Sequence, residues 1–217
     1  MLSRFDLVVF DWDGTLIDST MMIARSIQAA AADLGLAVPT LERARHVIGL
    51  GLKDALAHTV PDLDASRADA FSARFRYHYL SQEESLALFD GAQALLDAVG
   101  GAGVRLAVAT GKTRVGLQRA LRTAGFEGYF AATRCADQTE PKPHPAMLLE
   151  LMNELDVKPD RTLMVGDTTH DLAMAAAAGA AAVGLTHGAH TREQLQRFFP
   201  LALIDSLPDL QSWLLTE

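Results

Sequence analysis

Short apolar runs recur along the chain at residues 7–10, 105–109, 163–165, 181–185 and 201–204. Each is too short for a buried helix and reads as a strand covered on both faces. A weaker sixth candidate spans 129–133. Between the runs lie helical patterns at 114–124, 145–155, 171–178 and 191–198, and Gly125 and Gly179 stand where helix C-caps belong. Strands that alternate with helices of this length predict a doubly wound parallel α/β sheet.

Residues 16–90 break that rhythm. Ile23, Ile27, Ala30, Ala31 and Leu34 share one helical face with Gly35 after them, and Phe71, Phe75 and Tyr79 recur at i, i+4 and i+8. No strand-like run interrupts the segment. The expected organisation is therefore an α/β core of residues 1–15 and 91–217, with a helical cap of residues 16–90 inserted after the first strand. Segments 15–19 and 81–90 would be its hinges.

Composition narrows the function. The chain has 217 residues, 49% of them apolar, enough for a sizeable core. A net charge of −8 argues against a nucleic-acid partner, which needs a basic face to displace counterions. It leaves an anionic substrate open, because a bound cation can reverse the local sign. The single cysteine, Cys135, excludes an internal disulfide. No segment has the apolar length of a membrane span, and Arg4, Asp6 and Asp11 come too early for a signal-peptide core. The expectation is a cytoplasmic protein without a membrane partner.

Three of the runs end in polar residues. Residues 7–10 lead into Asp11-Trp12-Asp13-Gly14-Thr15, 105–109 into Thr110-Gly111-Lys112, and 163–165 into Gly166-Asp167-Thr168-Thr169-His170-Asp171. Ligands of parallel α/β sheets bind beyond the carboxyl ends of the strands, so these segments should converge. Four carboxylates gathered without a cation would repel one another and hold protons. A hard divalent ion resolves this, and magnesium prefers a few carboxylates together with water and substrate oxygens. The same ion would offset the charge of a phosphate approaching Asp11. Asp11 and Asp13, two apart on an extending chain, allow one carboxylate to attack phosphorus while the other reaches the leaving group or a water.

The ordered set resembles the haloacid dehalogenase superfamily over essentially the whole chain. Asp11-Trp12-Asp13-Gly14-Thr15-Leu16-Ile17-Asp18-Ser19 resembles its first motif in the phosphatase form, and Thr110-Gly111-Lys112 its second. Lys142 in Pro141-Lys142-Pro143-His144-Pro145 resembles the lysine of the third motif, and 166–171 the acidic fourth. The nearest subgroup is the phosphoglycolate phosphatase-like enzymes, which carry a helical cap at the same insertion point. The resemblance implies that Asp11 is a nucleophile and magnesium ligand. It implies that Asp13 is general acid and base, with its carbonyl facing the metal, and that Asp167 and Asp171 complete the metal site. Thr110 and the Gly111 amide would hold phosphate oxygens, and Lys142 would neutralise charge. The implied reaction is magnesium-dependent hydrolysis of a small phosphorylated metabolite through an aspartyl phosphate, phosphoglycolate being favoured.

The carboxylate of Asp13 disfavours carbon–halogen and carbon–phosphorus cleavage, since the branches with those activities lack it. A sugar-phosphate mutase shares the same acids and stays open, as does a catalytically silent binding protein on this fold. In the cap, Arg45, His46 and Lys53 are candidates for reading a carboxylate on the leaving group, set against the simpler reading of solvated helix charges. Asp18 and Ser19 read as caps of the first cap helix, Trp12 as packing beneath the site, and Glu83 and Glu84 as surface charge. His187 and His190 read as a solvated loop, the 71/75/79 stripe as core, and 100–103 as a loop.

Overall fold

The computed structural model describes residues 1–60 and 65–216; the side chains of Leu52, Lys53 and Ala65 lie outside the description. Among the described residues six strands form one parallel sheet: β1 (Leu7–Phe10), β2 (Arg105–Thr110), β3 (Ala132–Cys135), β4 (Thr162–Gly166), β5 (Ala181–Leu185) and β6 (Ala202–Ile204). Their order across the sheet is β3-β2-β1-β4-β5-β6. After β1 the chain builds outward through β2 and β3, then crosses back to place β4 on the other flank of β1. That reversal opens a crevice at the carboxyl end of β1.

The doubly wound expectation holds because β1 is apolar at every position. Val8 and Phe10 point to one face, where they meet Leu95, Leu96, Val108, Leu163 and Leu210. Leu7 and Val9 point to the other, against Met147, Leu148, Leu151, Met164 and Met174. The two-residue period of the strand thus feeds two cores. The helices over them are α5 (Ala92–Gly101), α6 (Arg114–Ala124) and α10 (Leu207–Leu215) on the first face, and α7 (Ala146–Glu154) and α8 (Thr169–Ala178) on the second. Gly125 and Gly179 end α6 and α8 in the left-handed conformation, as the sequence predicts.

Three elements differ from expectation. β3 begins at Ala132 rather than 129, because Gly128, with φ +81°, and a turn closed by the Tyr129 amide on the Phe126 carbonyl carry the chain to the sheet first. The short α9 (Arg192–Gln196) ends early in tight i to i−3 bonds from the Phe198 and Phe199 amides. Gly100 and Gly101 close α5 instead of forming a loop.

Between β1 and α5 lie α1 (Thr20–Asp33), α2 (Leu41–His46), α3 (Leu52–Thr59) and α4 (Ala68–Leu80). They bury a third cluster of their own, including Ala24, Ile27, Ala30, Val47, Leu56 and Phe71. The segments leading into and out of it are bonded to each other: the Asp18 amide donates to the Ala87 carbonyl and the Phe89 amide to Leu16, both at 3.0 Å. No described helix is long and apolar enough to cross a membrane.

Candidate active site

Strand register gathers the site. Phe10 is paired with Val108 of β2 and with Val165 of β4, so the three strands end within two residues of one level. The Asp11 amide extends the ladder by one bond to the Val165 carbonyl at 2.9 Å. Asp11, Thr110 and Asp167 therefore lie within one residue of each other in register at the crevice, and all three are buried.

Asp171 joins them through the start of α8. Its Oδ2 accepts from the Thr168 amide at 3.0 Å and the Thr168 hydroxyl at 2.7 Å, closing a capping box. Its Oδ1 accepts from Lys142 Nζ at 2.7 Å, and the same ammonium lies 2.8 Å from Asp11 Oδ1. Asp167 accepts from the Thr15 hydroxyl and the Ala189 amide, each at 2.7 Å. Gly188 makes this fit possible, since a Cβ there would stand 2.1 Å from Asp167 Oδ2.

Ligand oxygens of Asp11, Asp167 and Asp171 lie within 4.8 Å of one another. Three buried acids thus face one ammonium. Burial pushes the Asp11 carboxyl well above its usual range against the pull of Lys142, and pushes Asp167 up to about 7, with the Asp171 charge adding to it. Burial alone would draw the Lys142 proton off, but Asp11 and Asp171 outweigh it and hold the ammonium charged. Asp11 Oδ2 is buried with no hydrogen-bond donor among the described residues. A bare carboxylate oxygen beside two more hard donors and a charge deficit fits a divalent cation, so the cluster can bind a metal.

The Asp13 carboxylate lies outside this cluster. Lys112 Nζ reaches both of its oxygens at 3.0 Å, and the Ser19 hydroxyl donates to Oδ1 at 2.7 Å. Ser19 makes no side-chain cap to α1, contrary to the sequence reading, because its hydroxyl is turned to Asp13. Tyr79, at the end of the apolar stripe on α4, brings its hydroxyl 2.9 Å from Lys112 Nζ. Nothing in the stripe's periodicity separates that contact from core packing. Trp12 is fully buried, edge-on to Phe126, as expected.

The loop between α2 and α3 covers the crevice. A Cβ at Gly111 would stand 2.7 Å from the carbonyl oxygens of both Gly49 and Leu50, so glycine alone permits this approach. The Arg45 guanidinium donates to the Gly188 carbonyl at 2.7 Å, on the Asp167 side, rather than standing in solvent. The expectation for Lys53 falls on a side chain outside the described residues. His190 corrects the solvated-loop reading. It is 2% exposed, its ring lies stacked 4.7 Å from His46, and its Nδ1 accepts from the Thr169 amide at 2.9 Å. Nε2 then carries the proton and donates to the His46 carbonyl at 3.0 Å. Burial holds the ring neutral by drawing its pKa down to about 4. Glu83, read as surface charge, pairs with Arg119.

The sequence pattern of the family described as haloacid dehalogenase-like hydrolase matches residues 8–185. The chain is 39% identical over 210 residues to "Probable phosphatase IndB" of Dickeya dadantii, covering 94% of this chain and 91% of that one. It is 33% identical over 202 residues to a 5'-nucleotidase of Pseudomonas aeruginosa, with 91% and 90% covered. Among solved structures, a predicted phosphoglycolate phosphatase from Haemophilus somnus 129pt superposes with a TM-score of 0.85 at 27% identity, over 98% of this chain and 99% of that one.

Proposed function

The chain belongs to the haloacid dehalogenase-like hydrolase family, and we propose that this phosphatase hydrolyses small phosphate monoesters with magnesium, by way of a phosphoryl group carried on Asp11, phosphoglycolate-like substrates being favoured. The observation that carries the reading is the asymmetry of Asp11. One oxygen rests against Lys142, and the other is bare, at the carboxyl end of the central strand. A carboxylate held on one side and open on the other is oriented for in-line attack.

The residues then divide the work. Asp11 attacks phosphorus, and Lys142 offsets the charge that gathers on Asp11 and the phosphoryl oxygens. The Thr110 hydroxyl and the Gly111 amide hold those oxygens. Asp13 gives a proton to the departing alcohol and later takes one from the water that cleaves the aspartyl phosphate. Ser19 and Lys112 fix the direction of its carboxylate. Magnesium, held by Asp11, Asp167, Asp171 and the Asp13 carbonyl, would supply charge neutralisation for the phosphate. Thr15 and the Ala189 amide keep Asp167 oriented for that task.

The similarity to a phosphatase and to a predicted phosphoglycolate phosphatase supports the substrate class. The similar 5'-nucleotidase puts nucleoside monophosphates on the same panel. The test is phosphate release from phosphoglycolate, sugar phosphates and nucleotides, with and without magnesium, for wild type and Asp11→Asn. Magnesium-dependent release should fall by more than about a thousandfold in Asp11→Asn. Conversion of a sugar 1-phosphate to the 6-phosphate without net phosphate release would replace this reading with a mutase.

A further inference from the structure

On the side of Asp13 away from the acidic cluster stands a second buried cation. Lys112 follows directly on the phosphate-side residues Thr110 and Gly111, and its side chain is 10% exposed. Its ammonium makes three contacts, one to each Asp13 oxygen at 3.0 Å and one to the Tyr79 hydroxyl at 2.9 Å, with the ring centroid of Tyr79 4.7 Å away. Burial works against this charge, but the Asp13 carboxylate and Tyr79 together outweigh it, so the lysine stays an ammonium. Tyr79 comes from α4, on the far side of the crevice, and its buried phenol is pushed up to about 12 and keeps its proton.

This placement decides what the leaving group meets. If Asp13 serves the departing oxygen, as proposed above, that oxygen lies within hydrogen-bond reach of Asp13. The Lys112 ammonium is 3.0 Å from the same carboxylate. A group attached one carbon beyond the ester oxygen therefore comes within reach of the hydrogen-bonded pair of Lys112 and Tyr79. A desolvated ammonium with a phenol beside it discriminates strongly for an anion over a neutral group of the same size. Arg45 is held elsewhere, on the Gly188 carbonyl next to Asp167.

We propose that Lys112 and Tyr79 are the groups that read the leaving group, and that they select phosphate monoesters bearing a carboxylate one carbon from the ester oxygen. The inference rests on the phosphatase reading. A binding carboxylate shares the Lys112 ammonium with Asp13, which Lys112 continues to orient, so one element from the core and one from α4 close on the substrate together.

The test compares kcat/KM for phosphoglycolate, glycerol 3-phosphate and p-nitrophenyl phosphate, with magnesium, in wild type, Lys112→Met, Lys112→Arg and Tyr79→Phe. Thermal melts report that each variant is folded. Lys112→Met should lower kcat/KM for phosphoglycolate by roughly a hundredfold more than for glycerol 3-phosphate, chiefly through KM. Lys112→Arg should restore part of that preference, and Tyr79→Phe should erode it by about tenfold. Equal losses on all three substrates would overturn the assignment, since Lys112 would then act only through Asp13. An unchanged preference in Lys112→Met, or in a folded Lys112→Arg should the methionine variant not fold, would also overturn it. A wild type that releases phosphate from none of the three would instead remove the phosphatase reading itself, and this proposal with it.

Discussion

Lys142 is fully buried between two carboxylates, and its single charge is what allows Asp11 and Asp171 to share that space. Removing one partner of a buried ionic cluster leaves the others desolvated and unpaired, which costs about 3 kcal/mol or more. Lys142→Met should lower stability by that order in metal-free protein at pH 7, read by urea unfolding, and should abolish turnover. A variant as stable as wild type would mean that the acids simply take up protons there. The side chains that meet here were legible because they follow apolar runs or belong to an ordered set of motifs: Asp11, Asp167 and Asp171 come together, with Lys142 against Asp11 and Asp171. The contacts of Asp13 were not legible. Tyr79 lies 33 residues before Lys112, on a stripe that reads as core, and only the packing of α4 across the crevice joins them. His190 escaped for a similar reason, since its burial depends on His46, 144 residues away.

At the scale of elements, the strands were readable because a parallel sheet covered on both faces demands uninterrupted apolar runs, which β1, β2, β4 and β5 supply. Helix ends at Gly125 and Gly179 were readable because a left-handed cap favours glycine. The start of β3 was not, because the apolar Tyr129 and Phe130 pack on the core before the ladder begins. The seating of the loop between α2 and α3 was also invisible, since it is set by contact with Gly111. That contact can be broken selectively. Gly111→Ala puts a methyl group where two backbone carbonyls stand at 2.7 Å, and backbone gives way less readily than a flexible side chain. The expected result is a displaced loop, faster amide exchange at residues 47–51, and a fall in kcat/KM of about tenfold or more. The clusters beneath the sheet and within α1–α4 are untouched by the change, so the melting temperature should move by only a few degrees. Wild-type exchange in that loop would mean that the close approach does not hold it.

For the molecule as a whole, the acidic cluster links pH, metal and stability. Asp167 has its folded pKa raised from 3.8 to about 7, chiefly by burial. Its contribution is fully present below pH 3.8 and is lost as pH rises through 7, because the folded state then surrenders a proton that stabilised it. His190 has the opposite sign. Its folded pKa falls from 6.5 to about 4, so its contribution is present above pH 6.5 and lost as pH falls toward 4. Between pH 4 and 6.5 the two slopes oppose each other. At pH 6.5 unfolded His190 is still half protonated, and the lowered pKa values of His170 and His187 oppose the decline in the same way, so the buried acid is read against a variant that lacks it. In chelator, then, the stability of wild type relative to Asp167→Asn should fall by roughly 1 kcal/mol between pH 6 and 8, about one proton's worth over one unit. Magnesium should cancel the decline, because a cation among the three carboxylates replaces the proton, and its affinity should weaken as pH drops below 7. Asp167→Asn separates this linkage from general alkaline destabilisation. It removes the buried charge while an amide oxygen can still accept from Ala189, and the Thr15 hydroxyl can turn to suit the new group. In chelator at pH 8 the variant should melt higher than wild type, by a margin that shrinks toward pH 6, and it should not respond to magnesium. A difference in melting temperature between wild type and Asp167→Asn that is the same at pH 6 and pH 8, with chelator present, would show that the charge at Asp167 is not what magnesium relieves.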